Sequence, residues 1–149
     1  MRFGSVVFVM ALLLGTAALA DDAAKTLTGT WAVSSDRANE GPTTWVIEQK
    51  PDSIKITEIR NSDTLAEFEC NTMGRDCDIK EAGKKTKVSM WFNGDKLVEL
   101  ETRGSDTLKR RFGLNAAGDT MDVEIIPISS SGKPEVVQFK RVDAAVAKK

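Results

Sequence analysis

The sequence predicts an all-β protein that folds as an antiparallel up-and-down β-barrel of about eight to ten strands. Apolar and polar residues alternate with period two along most of the chain after residue 26, as expected for strands with one buried face. Turn residues separate these stretches at short intervals, which is typical of a meander. A helical period is found only in the N-terminal leader and the short C-terminal tail. Closure into a barrel removes the edges of such a meander, and the short loops favour it over a sandwich with crossing connections.

The N-terminal leader resembles a secretory signal peptide. Arg2 supplies a short positive segment, the apolar run Val6–Leu14 follows, and Ala18-Leu19-Ala20 has the small-x-small pattern of a cleavage site. The apolar run is short for a bilayer span, so we expect cleavage rather than a retained anchor. The expected organisation is a signal peptide over residues 1–20, a flexible start over 21–26, one barrel domain over 27–142 and a flexible tail over 143–149.

The charge balance excludes several classes of partner. The 149 residues carry 21 Lys and Arg against 22 Asp and Glu, a formal net charge of −1. Nucleic-acid-binding proteins show clustered basic residues and a high pI, so this balance predicts no nucleic-acid partner. No second apolar run of about 18 residues follows the leader, so no membrane span is expected.

The first three predicted strands follow the leader directly. Leu27–Ser34 alternates strictly, Thr43–Lys50 follows a polar loop, and Pro51-Asp52 is a turn that leads into Ser53–Arg60. The alternation in this third strand loses phase at Glu58-Ile59, which predicts a bulge or the end of the strand.

The two cysteines fall in the next predicted pair of strands, Thr64–Cys70 and Cys77–Ile79. We interpret this region as a hairpin clipped by a disulfide between Cys70 and Cys77, because an even pair this close in an oxidising compartment is most simply a bridge. Such a bridge is worth about 2 to 3 kcal/mol by the loop-entropy relation. A redox or metal role is the alternative, but the spacing is not Cys-x-x-Cys and no other soft ligand is present.

The remaining strands bring the predicted count to about nine. Asn93-Gly94 is the strongest hairpin signal in the sequence, and a Gly turn lies in Asn115–Asp119. The predicted strands are Lys85–Phe92, Lys96–Thr102, Thr107–Leu114, Thr120–Ile126 and Glu135–Val142.

Three short segments carry a resemblance to a known group of barrels. Leu27–Trp31 (LTGTW), Trp45–Gln49 (WVIEQ) and Val137–Arg141 (VQFKR) resemble the small exported lipocalin-like proteins of bacteria, within the calycin superfamily. The resemblance implies a barrel around an apolar interior that takes a small hydrophobic or amphipathic molecule. It also implies that Trp31 plugs the base of the barrel.

The sequence departs from two well-known groups of these barrels. Fatty-acid-binding proteins insert a two-helix lid of roughly thirty residues between their first two strands, whereas Ser34–Thr43 offers ten residues here. Avidins use a tyrosine in their biotin site, and this chain has no Tyr. Neither a lid nor a biotin site is therefore expected.

The absence of histidine removes most neutral-pH catalytic chemistry. Two carboxylate pairs remain as acid–base candidates, Glu67 with Glu69 and Glu99 with Glu101. The alternation predicts that both pairs lie on the solvated face of their strands. We therefore expect no enzyme, no catalytic residue, no metal site and no cofactor.

Two arginines share strand faces with apolar residues. Arg110 alternates with Phe112, and Arg141 alternates with Phe139. An inward guanidinium needs a carboxylate partner, and in fatty-acid-binding proteins an arginine near the last strands holds the acid group of the ligand. The alternative is that each arginine reaches water at a strand end or pairs with an internal Glu. The candidate ligand-binding residues are Arg110, Arg141, Phe112, Phe139, Trp31 and Trp45.

These observations predict an exported protein, periplasmic or extracellular, that sequesters a small hydrophobic or amphipathic ligand. The alternative is an exported protein-interaction module, such as a hydrolase inhibitor, that uses the Cys70–Cys77 loop and Trp91 as its contact edge. A third possibility is a barrel filled by its own side chains. The volume of the interior distinguishes the first reading from the other two.

Overall fold

A computed structural model describes residues 26–33, 43–81 and 83–142, which form strands and turns without any helix. This confirms the all-β prediction. The ten strands are β1 (Gly29–Val33), β2 (Thr43–Gln49), β3 (Ser53–Arg60), β4 (Asp63–Asn71), β5 (Met73–Glu81), β6 (Lys84–Asn93), β7 (Lys96–Arg103), β8 (Asp106–Leu114), β9 (Thr120–Pro127) and β10 (Glu135–Val142).

Several expectations concern other parts of the chain. The signal peptide, the ten-residue connection in place of a lid, and the flexible tail all lie outside the described residues. Within the described ranges, no helix has the length and apolar character needed to cross a membrane.

The strands form one antiparallel sheet in the order β4-β3-β2-β1-β10-β9-β8-β7-β6-β5. Each strand pairs with its sequence neighbour, and β1 pairs with β10 to bring the two ends of the meander together. The sheet curls until β4 and β5 pack against each other without being neighbours in its hydrogen-bonded order. We call this junction the seam. The fold is thus a nearly closed up-and-down barrel, as the strand rhythm predicts.

The predicted hairpin around the cysteines is wrong. Its two strands, β4 and β5, are the edges of the sheet, and β5 is longer than expected, from Met73 to Glu81. The disulfide itself is present, and it joins Cys70 to Cys77 across the seam with a Cα–Cα distance of 5.7 Å. The bridge therefore holds together two strands that lack a ladder of backbone hydrogen bonds between them.

Replacing both Cys70 and Cys77 with serine is expected to lower the free energy of unfolding by about 2 to 3 kcal/mol, because the bridge restricts the unfolded chain. Urea unfolding of the oxidised protein, the reduced protein and the double variant measures the effect. The reduced protein and the variant should agree, and dithiothreitol should leave the variant unchanged. A variant as stable as the oxidised protein would show that the bridge contributes nothing.

The buried residues on the inner face of the barrel follow the alternation predicted for β3. Ile54 and Ile56 are buried on β3, and the ladder between β3 and β4 shifts register between Glu58 and Ile59, which confirms the predicted bulge. The largest fully buried apolar side chains are Trp31, Phe112, Ile47, Ile54, Met90, Leu97 and Met121.

One end of the barrel, which we call the base, is closed by the indole of Trp31. This side chain is 0% exposed, and its Nε1 donates to the carbonyl of Leu27 at 2.9 Å. The guanidinium carbon of Arg141 lies 4.3 Å from the ring centroid of Trp31, a cation–π distance. Arg141 also donates to the carbonyls of Thr28 at 2.5 Å and Gly118 at 2.9 Å. Trp31 and Arg141 thus tie the first strand, the last strand and a turn together.

The glycine of the Gly-x-Trp segment has a steric role at this base. A Cβ on Gly29 would clash with Nη1 of Arg141, and the residue has a φ of 153°. A larger residue would displace the guanidinium from the carbonyls that hold it, and this φ favours glycine. The Gly-x-Trp segment is therefore explained by the packing of the base.

Candidate functional site

A cavity lies inside the barrel next to the seam. The space between its lining residues is about 420 Å³ when the open mouth is counted, and about 30 Å³ of it can hold the centre of a water-sized molecule. Residues from both sides of the seam contribute to it, Ala66 and Phe68 from β4 and Ile79 from β5. The ten lining residues are Trp45, Ile56, Glu58, Ala66, Phe68, Ile79, Glu99, Glu101, Arg110 and Phe112.

Aromatic rings form one wall of the cavity. The ring of Trp45 lies 5.7 Å from that of Phe112 and stacks on Phe139 at 4.6 Å, centroid to centroid. Trp45 Nε1 is buried and has no hydrogen-bond partner among the residues that the structure describes. A buried donor without a partner is costly to leave unsatisfied, and what this wall offers to a guest is apolar surface.

Arg110 and two glutamates form an ion-paired cluster in the same cavity. Nη1 of Arg110 lies 2.5 Å from Oε1 of Glu99 and 2.7 Å from Oε2 of Glu101. Glu99 is 2% exposed, and the side chain of Arg110 is 24% exposed. Burial by itself lowers the pKa of the Arg110 guanidinium, but the charges of Glu99 and Glu101 outweigh it and raise the pKa above its usual value.

The prediction that Glu99 and Glu101 face solvent is wrong. In the ladder between β7 and β8, Leu97 lies opposite Phe112 and Glu99 lies opposite Arg110, so both glutamates point inward. Alternation alone does not fix the phase of β7, because Val98 is also buried, on the other face. The signal that would have located them is the match between two acidic positions on one strand and an inward arginine on the next.

The prediction that Glu67 and Glu69 lie on the solvated face of their strand is correct. Glu67 is 54% exposed in its side chain and lies 3.3 Å from Nζ of Lys55. Glu69 accepts from Lys50 at 2.8 Å and from Ser53 at 2.7 Å, and these hydrogen bonds lower the pKa of its carboxyl. This pair therefore belongs to the outer surface of the barrel.

Further charges lie around the cluster. Glu58 lines the cavity and lies 3.6 Å from Nη2 of Arg60. The second oxygen of Glu101 accepts from Nη2 of Arg103 at 3.1 Å, and the side chain of Arg103 is largely exposed. The cavity lining itself thus contains three carboxylates and one guanidinium.

The structure separates the six candidate ligand-binding residues into two groups. Trp45, Arg110 and Phe112 line the cavity, and Phe139 packs behind Trp45. Trp31 and Arg141 instead form the base, where Arg141 is bound by backbone carbonyls.

Trp91, the candidate partner contact, lies on the outer face. It is half-buried between its cross-strand neighbours Met73 and Val98. A partner contact at this residue stays a prediction.

The cavity has the chemistry of a binding site. Six apolar and four charged residues line it, and polar groups placed among apolar walls orient a small molecule in a pocket. Among the residues that the structure describes, no three or more His, Cys, Asp or Glu side chains are placed to hold a metal ion.

No protein-family model matches this sequence, and no curated protein matches it. Solved structures do match in fold. A protein described as the REP1-NXSQ fatty acid transporter gives a TM-score of 0.64 at 18% identity, with 78% of this chain and 96% of that chain covered. An SAHS heat-soluble protein from Ramazzottius varieornatus gives a TM-score of 0.62 at 9% identity, over 78% and 95% of the two chains.

A Schistosoma mansoni fatty acid binding protein, solved in complex with arachidonic acid, gives a TM-score of 0.61 at 15% identity. The match covers 78% of this chain and 96% of that chain. At identities this low the likeness concerns the path of the backbone, which agrees with the strand order described above. The chain therefore has the same lipocalin-like up-and-down β-barrel fold as these structures.

Proposed function

We propose that this protein is an exported binding protein that holds a small hydrophobic or amphipathic molecule in the barrel, reversibly and without covalent chemistry. The observation that carries the proposal is the cavity beside the seam, which Trp45, Phe68 and Phe112 line together with the ion-paired Arg110, Glu99 and Glu101. Two of the similar structures are described as a fatty acid transporter and a fatty acid binding protein, which supports a guest with an apolar chain.

Export is part of the proposal and has separate support. The bridge between Cys70 and Cys77 fits an oxidising compartment, and residues 1–20 have the sequence pattern of a signal peptide. Mass spectrometry of the protein recovered from its native host tests this directly. A mature chain that begins at Asp21 is expected, and a chain found only with its first twenty residues attached would contradict export.

Binding is tested with N-phenyl-1-naphthylamine, a neutral apolar dye whose fluorescence rises in a dry site. The expected result is saturable binding of one dye per barrel. Ala66→Phe, which fills part of the cavity, should weaken binding by about tenfold, whereas Leu65→Phe on the exposed neighbouring position should not. Absence of saturable binding, together with no small molecule carried through native mass spectrometry, would overturn the proposal.

A further inference from the structure

The cavity is small in this conformation of the barrel. About 30 Å³ of its space can hold the centre of a water-sized molecule. One water needs about 10 to 15 Å³ of such space, so the cavity has room for about two waters. A hydrocarbon chain or an aromatic dye is larger than this. A guest of that size can therefore enter only if part of the barrel wall moves.

The seam is the part of the wall that moves at the lowest cost. The ten strands are joined in one hydrogen-bonded order, and parting two neighbours in that order breaks backbone hydrogen bonds. β4 and β5 are the two ends of the order. In residues 63–68 and 78–80, which the structure describes, no hydrogen bond or ion pair crosses from β4 to β5. Parting the seam here therefore breaks side-chain packing alone.

The cavity lies along this weakly joined part of the seam. Ala66 and Phe68 line it from β4, and Ile79 lines it from β5. Phe68 is half-buried, whereas Ala66 and Ile79 are buried, so Phe68 is the most solvent-exposed of these three lining residues. Separation of β4 from β5 at this point would open the cavity directly to solvent.

The disulfide holds the other end of the seam. Cys70 and Cys77 each lie two residues from a lining residue, Phe68 on β4 and Ile79 on β5. Just beyond the bridge the chain itself passes from β4 to β5. At the opposite end of the seam, β4 is joined to β3 and β5 is joined to β6 by separate two-residue connections. The hairpins β3–β4 and β5–β6 can therefore swing apart about the bridged end.

We propose that the seam beyond the bridge is the entrance of the cavity. The hairpins β3–β4 and β5–β6 part there to admit a guest, and the bridge between Cys70 and Cys77 limits how far they part. This inference rests on the proposed binding function and adds the route by which the guest reaches its site. Local opening of this kind costs less free energy than global unfolding, so the barrel stays folded while the guest enters.

A cross-link over the outside of the seam tests the entrance. Glu67 on β4 and Lys80 on β5 are exposed, and each lies three residues from the bridge. Glu67→Cys with Lys80→Cys, joined by a short bismaleimide in the oxidised protein, should slow the entry of N-phenyl-1-naphthylamine by at least about tenfold. Stopped-flow fluorescence measures this rate. The same variant with each new thiol blocked by N-ethylmaleimide should keep the rate of the unmodified protein.

A second cross-link provides a matched control. Thr57 lies opposite Glu67 in the ladder between β3 and β4, so Thr57→Cys with Glu67→Cys links two strands that hydrogen bonds already join. This link should leave the rate of entry unchanged. If the dye enters as fast when the seam is linked as after thiol blocking, the inference is wrong although the binding function stands. If the dye does not bind the unmodified protein, the proposed function fails and the entrance fails with it.

The limiting role of the bridge is tested with Cys70→Ser and Cys77→Ser combined. Without the bridge a longer part of the seam can separate, so entry and release of the dye should both become about threefold faster or more wherever the variant is folded. Because the entrance affects the barrier and not the bound state, the dissociation constant should change less than either rate. Unchanged rates would contradict the limiting role of the bridge.

Discussion

Replacing Arg110 with methionine is expected to lower the free energy of unfolding by about 3 to 5 kcal/mol. The substitution keeps much of the side-chain volume but removes the cation that lies 2.5 Å from Glu99. Because Glu99 is buried on the inner face of β7, its charge would then lose that partner in a partly dry interior. Chemical denaturation at neutral pH measures the loss.

The adjacent arginine provides a matched control. Arg111 points to the outer face of β8 and pairs with Glu124 near the surface, so Arg111→Met should cost less than about 1 kcal/mol. Lowering the pH should reduce the cost of Arg110→Met, because protonation of the buried carboxylate removes the charge that needs the cation. Equal costs for Arg110→Met and Arg111→Met would show that the buried cluster has no special role.

Most of the fold was predictable because strand positions are encoded locally. Alternation marks one face of each strand, and turn residues mark its ends, as at Asn93 and Gly94, where Gly94 has a φ of 64° between β6 and β7. The strand order then follows from short connections between neighbours. These signals need no information from distant parts of the chain.

The seam was not predictable in the same way. β5 contains Arg75, Asp76 and Asp78 among its residues, so its apolar alternation is weak and its length was underestimated. Whether two successive strands pair or form the two edges of a barrel depends on how far the whole sheet curls. The curl of the sheet depends on all ten strands together, so no short segment of the sequence predicts it.

The candidate site was predicted in part. Arg110 and Phe112 were identified because β8 alternates clearly, but their partners on β7 were assigned to the wrong face. Leu97, Val98 and Glu99 are all buried, so a period of two fits that strand equally well in either phase. The inward arginine on β8 resolves the phase, because Glu99 lies directly opposite Arg110.

The base of the barrel should be a stability determinant that is separate from the cavity. Trp31→Ala is expected to lower the free energy of unfolding by about 3 to 5 kcal/mol, because it empties a fully buried site and removes the ring over which Arg141 lies. Trp31→Phe keeps most of the apolar volume but loses the hydrogen bond to Leu27, and it should cost about 1 to 2 kcal/mol.

Two controls, a Trp91 variant and dye binding, distinguish a role of Trp31 in stability from a role in ligand binding. Trp91→Ala removes a half-buried side chain from the outer face and should destabilise the protein less than Trp31→Ala; equal losses would contradict the assignment of Trp31 as the closing side chain. Because Trp31 does not line the cavity, Trp31→Phe should bind N-phenyl-1-naphthylamine as the unmodified protein does wherever it remains folded. The Gly-x-Trp segment is therefore expected to govern whether the barrel forms, while Trp45 and the charged cluster govern what it holds.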